Sequence, residues 1–119
     1  MVELARSALD AAKKGSTDLF ILALVEVEDL HGYDLARRIE ARSAGALTFT
    51  LASLYATLYR LEARGLIRGR WVERAGQRRR RYYRLTEAGR RTLAAERQDW
   101  ARFVRILVEV AGVEPALAR

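Results

Sequence analysis

This chain of 119 residues has no cysteine, one histidine, one proline and only two lysines. Each scarcity removes a class of explanation. Without cysteine there is no disulfide, no thiolate nucleophile and no cysteine-based zinc site. The lone histidine, His31, leaves no histidine triad and no paired imidazoles for a metal, so neither a metal nor another cofactor is expected. His31 itself reads as a capping or surface residue. Long apolar runs are missing too. The longest, LFILALV at residues 19–25, falls far short of the roughly 20 residues that span a bilayer. The first eighteen residues carry acids and lack a long apolar core, so no signal peptide is expected and the chain reads as cytoplasmic. Paired carboxylates, a nucleophile–base pair and a Gly-rich phosphate loop are all absent as motifs, and EVED at 26–29 reads as an acidic helix end. An enzyme is not expected.

What the chain does have is arginine. Twenty of its 22 basic residues are arginine and the net charge is +7. The charge is also local. From Arg60 to Arg91 twelve arginines face three acids, Glu62, Glu73 and Glu87, a net +9. The stretch RAGQRRRRYYRLT, residues 74–86, sets four arginines in a row beside two tyrosines. Four adjacent guanidinium groups repel one another, so either solvent or an anionic partner must offset them.

Periodicity supplies the scaffold. Residues 3–14 read as a short helix stopped by Gly15, with Ser16, Thr17 and Asp18 capping a second, buried helix over roughly 17–29. After a turn at His31-Gly32, a helix is expected over about 33–43 with Leu35 and Ile39 inward, then a brief strand at Leu47 to Phe49. TLASLYATLYRLEARG, residues 50–65, is the clearest helix. Leu51, Leu54, Tyr55, Leu58 and Leu61 form its buried stripe, Thr50 its N-cap and Gly65 its stop. The period then falls to two, predicting a hairpin of two strands turning at Gly76. Thr86 caps a last helix running to about Ala111. Its length of roughly 39 Å at 1.5 Å per residue exceeds what so small a body can cover, and Leu93, Trp100 and Leu107 recur every seven residues as a subunit seam, which Arg97 interrupts.

The fold class expected is mainly α with a small β-hairpin (α+β): a winged helix-turn-helix followed by a long C-terminal dimerisation helix. Residues 1–85 form the DNA-binding domain, with 1–15 as its N-terminal helix, and 86–119 the dimerisation helix and tail. LHGYDLARRIE, LYATLYRLEARGLI and RRRRYYRLTEAGR, in this order, resemble the PadR family of bacterial transcriptional regulators over roughly residues 17–91. The resemblance implies a homodimer on an inverted-repeat operator in double-stranded DNA, usually acting as a repressor and often released by a small aromatic or lipophilic effector. It departs at Ala56, where the family's pattern commonly has proline, and at Ala52 and Ser53, where glycine and threonine are common.

The DNA-binding candidates are Thr50, Ser53, Tyr55, Thr57 and Arg60 on the helix, and Arg78, Arg79, Arg80, Arg81 and Tyr82 on the wing. Strand alternation keeps the four arginines from pointing one way: some meet phosphate, and others pair with Glu73 or lie over Trp71. Tyr83, in phase with Leu85, belongs to the core. Leu4, Leu93, Trp100, Phe103, Val104 and Leu107 are the interface candidates. In some relatives an aromatic on the last helix stacks a flat ligand between subunits, a role open to Trp100 and Phe103. Two rival readings remain. A nonspecific nucleic-acid or architectural protein shares the charge. A membrane-surface module needs an amphipathic helix where the period is two.

Overall fold

In the computed structural model the backbone is described for residues 2–115 and the side chains for 15–115. The element order is α1 (Val2–Val27), β1 (Leu30–His31), α2 (Gly32–Arg42), α3 (Leu51–Ala63), β2 (Ile67–Val72), β3 (Arg80–Leu85) and α4 (Glu87–Ala111). The three strands form one antiparallel sheet in the order β1-β3-β2.

The first correction concerns Gly15. It does not end a helix, because α1 runs unbroken for 26 residues. An interior glycine costs a helix only about 1 kcal/mol, less than is gained by burying Ile21, Leu22, Leu24 and Val25 on the same rod. Gly15 also lies against α4, where a Cβ would stand 3.8 Å from the Trp100 ring. Ser16 to Asp18 are therefore interior residues rather than caps.

The helix-turn-helix follows from local chemistry. His31 caps α2, its Nδ1 accepting from the Asp34 N–H at 3.2 Å, and it is buried. Ala44 and Gly45, both with positive φ, turn the chain after α2. Residues 47–50 then run without strand pairing. The strand expected at Leu47 to Phe49 is absent because Ser43 Oγ takes the Leu47 N–H at 3.0 Å, closing a turn. Thr50 Oγ1 accepts from the Ser53 N–H at 3.1 Å and starts α3. Leu54, Leu58 and Leu61 are fully buried there. Leu51 and Tyr55 are not, at 45% and 44% exposed, since the first turns of α3 project beyond the core.

The hairpin forms as expected but is not alone. Leu30 and His31 add a third strand beside Tyr83 and Tyr82, a pairing too short to leave a period in the sequence. Thr86 Oγ1 caps α4 by accepting from the Gly89 N–H at 3.0 Å. Only Gly89 and Leu93 of α4 are buried. Leu93, expected on the subunit seam, instead sits 1% exposed in its own chain's core. Arg97, expected to interrupt that seam, turns to α1 and pairs with Glu26 at 3.0 Å.

Candidate nucleic-acid interface

The ribbon of β2 and β3 sorts its side chains by alternation. Ile67 pairs with Leu85, Gly69 with Tyr83 and Trp71 with Arg81, and this face turns to the helices. Its base is apolar: Ile67, Tyr83 and Leu85 are 1%, 5% and 6% exposed. Arg68, Arg70 and Val72, opposite Arg84, Tyr82 and Arg80, make the other face. Gly76, at φ +73°, turns the tip between them.

Between the tip and the start of α3 lies an open cleft of about 620 Å³. His31, Tyr33, Tyr55, Trp71, Tyr83 and the run Arg78 to Arg81 line it. The fold thus brings Tyr55 and the four wing arginines, distant in sequence, to one concavity. Tyr55 reaches it by lying on Gly32, where a Cβ would come within 2.7 Å of its ring. Ser53 is exposed and Thr57 half-buried nearby on α3, Thr57 donating back to the Ser53 carbonyl at 3.2 Å.

The four arginines are not equivalent. Arg78 is exposed. The Arg79 guanidinium lies 4.7 Å from the centre of the half-exposed Trp71 ring. Arg80 Nη1 stands 2.9 Å from His31 Nε2. Arg81 is held by Glu62 of α3. Tyr82 is half-buried rather than free, its ring edge-on to His31 and under the Arg74 guanidinium. While His31 Nδ1 takes the capping bond, its Nε2 also lies 3.0 Å from Asp34 Oδ2. Burial holds the His31 pKa below its ordinary value; Asp34 opposes this and Arg80 adds to it.

Arg60 also has a partner. Its guanidinium grips Asp18 of α1 through two bonds of 2.8 and 3.0 Å, which raises its already high pKa further. The acids of EVED have a similar use: Glu28 pairs with Arg38 and Asp29 with Arg70. Sequence reasoning missed Tyr33, Glu62 and the closeness of His31 to the wing. The one signal was phase, since Trp71 falls in step with Ile67 and Glu62 lies seven residues after Tyr55.

On α4 the exposed large apolar residues lie in its C-terminal half. Phe103, Val104, Ile106 and Val110 are 50%, 46%, 47% and 81% exposed. Trp100 and Leu107 are half-buried, and Trp100 meets Phe103 edge-on at 6.1 Å. Leu4 lies outside the residues whose side chains are described. Among the described residues no group of three or more His, Asp or Glu gathers as metal ligands, and no helix is long and apolar enough to cross a membrane.

Residues 21–95 match the model of the transcriptional regulator PadR-like family. The chain belongs to that family. An uncharacterised protein of Lysinibacillus sphaericus is 30% identical over 94 residues, covering 79% of this chain and 86% of that protein. A transcriptional regulator from Clostridium thermocellum superposes with a TM-score of 0.76 at 25% identity, covering 84% of this chain and 97% of the other. A PadR family regulator from Clostridium difficile gives 0.68 at 26%, covering 77% and 94%. This PadR-like regulator therefore carries a DNA-binding winged helix, and both of these solved structures are of transcriptional regulators.

Proposed function

We propose that this PadR-like regulator is a homodimeric repressor of the cytoplasm that binds an inverted-repeat operator in double-stranded DNA. The observation that carries the reading is the shared cleft, in which Tyr55 of α3 and the arginines of the wing line one concavity. A duplex whose major groove receives α3 runs its backbone past the wing. Ser53 and Thr57 are then the base-edge candidates. Thr50, Tyr55 and Tyr82 offer hydroxyls to phosphate, and Arg78, Arg79 and Arg80 offer charge. Arg60 and Arg81, each already on a carboxylate, act by fixing α3 and the wing.

The unburied stripe of α4 supports self-association. Phe103, Val104 and Leu107 meet the same residues of a second copy, so that residues 86–119 pair two DNA-binding domains of residues 1–85. Trp100 and Phe103 beside that seam are where a flat effector stacks. Two measurements test the proposal. Sequencing the fragments retained from a random duplex pool should give two inverted half-sites about one helical turn apart; even retention of all sequences marks a nonspecific binder and overturns the reading. Phe103→Glu with Leu107→Glu should yield folded monomers by sedimentation, whereas an intact dimer would put the interface elsewhere.

A further inference from the structure

Glu62 sits on α3 one heptad after Tyr55, on the flank that meets the wing. Its Oε2 accepts two hydrogen bonds, one from each long strand: the Gly69 backbone N–H of β2 at 3.0 Å, and Nη2 of Arg81 on β3 at 2.5 Å. β2 is an edge strand of the sheet, and the Gly69 N–H is satisfied by the helix carboxylate rather than by another strand. Both charged side chains are less than a third exposed, so this pair is shielded from solvent more than the other arginine–carboxylate pairs among the described residues.

The rest of Arg81 is equally constrained. Its guanidinium lies flat on Gly69, where a Cβ would stand 2.4 Å from Nε and 2.6 Å from Cζ. It is also 5.6 Å from the Trp71 ring centre and 5.8 Å from that of Tyr83. Position 69 has no positive φ, so what glycine permits here is this close approach of the guanidinium, not a turn. One carboxylate, one glycine and one arginine therefore tie three elements at a single point.

We infer that Glu62, Gly69 and Arg81 form a latch that sets the angle of the wing to the recognition helix, with Arg81 a positioning residue rather than a phosphate ligand. Beyond the latch the ribbon is held by its own pairing and by the side-chain contacts of Arg70 with Asp29 and of Arg80 with His31, and its tip carries Arg78 and Arg79. A two-stranded ribbon is marginal by itself, so the latch decides whether those cations reach the same duplex as α3. The part that concerns DNA rests on the repressor reading; the mechanical part does not.

Glu62→Gln discriminates by sign. It removes a negative charge near the DNA surface, so charge alone makes every duplex bind more tightly. The latch gives the opposite for selected operator: about tenfold weaker binding, with random duplex unchanged or tighter. In the free protein, the Gly69 amide should exchange at least tenfold faster, and Trp71 fluorescence anisotropy should fall in a Trp100→Phe background. Gly69→Ala leaves the charge untouched and displaces the guanidinium, so it should reproduce the loss of preference; thermal melts check that both variants fold. Unchanged Gly69 exchange in a folded Glu62→Gln protein overturns the latch. Faster exchange with full operator preference overturns its role in recognition. If the wild type itself prefers no sequence, the repressor reading fails, while amide exchange still decides the latch.

Discussion

Arg80 and Arg81 are neighbours in the chain and opposites in the fold. Arg81 lies on the ribbon face that turns to the helices, neutralised by Glu62 and flanked by Trp71 and Tyr83. Arg80 lies on the other face, exposed, against His31 and with no carboxylate bonded to it among the described residues. The alternation of a strand separates them, and the burial of Tyr83 and Leu85 fixes which face is which. A run of four like charges is thus two populations. One member holds the wing in place, and the others carry charge that only solvent or phosphate offsets.

The largest effect that separates the populations is on affinity. Replacing Arg78, Arg79 and Arg80 together by alanine should weaken binding to all duplexes on the order of a hundredfold at low salt. The slope of log K against log salt should flatten by up to about 2.7, at roughly 0.9 per phosphate lost. The melting temperature should stay within about 2 °C, because exposed side chains contribute little to stability. Arg81→Ala should do the reverse, leaving the slope within about one unit of wild type and lowering the melting temperature. Equal slope changes for the two proteins would erase the distinction between the faces.

Much of this geometry is readable from the chain before any coordinates. The stripe of Leu54, Leu58 and Leu61, the caps Thr50 and Thr86, and the change of period after Gly65 lay out α3, the wing and the start of α4. These signals are local, each spanning fewer than a dozen residues. What the sequence hides is pairing across long separations. Glu62 with Arg81, Asp18 with Arg60 and Glu26 with Arg97 lie 19 to 71 residues apart. In a chain with twenty arginines, composition cannot match each acid to its partner. Gly15 misleads for a related reason: its helix continues because of packing from distant elements, which outweighs a local propensity. Leu93 misleads because a heptad spacing does not say whether the partner is another subunit or the same chain's core.

A smaller effect tests the helix side of the cleft. Gly32→Ala puts a Cβ within 2.7 Å of the Tyr55 ring. The ring is 44% exposed and free to swing outward, so the core should not suffer. Operator binding should weaken about fivefold, near 1 kcal/mol, with melting nearly unchanged. A drop in melting temperature of more than about 5 °C would make Tyr55 an anchor of the helix-turn-helix, placing it with Arg81 rather than with the tip cations.

The smallest expected effect belongs to His31, which caps α2 and stands against Arg80, a member of the second population. Its ring is buried and its pKa is held below 6.5, first by burial, then by Arg80 against the pull of Asp34. The folded chain therefore keeps the ring neutral at a pH where the unfolded chain takes up a proton. Below the unfolded value the unfolded state binds more protons, so stability is complete above about pH 6.5 and declines as pH falls toward the folded value. Glu96 runs the other way, because burial raises its carboxyl above the ordinary value and favours the folded state at lower pH. The readout is accordingly the difference between wild type and His31→Asn, whose amide oxygen can still cap α2. Between about pH 7.5 and 5.5 the wild-type melting temperature should fall relative to the variant. Parallel curves would show that the ring takes up its proton without cost, and that the contact with Arg80 relaxes in solution.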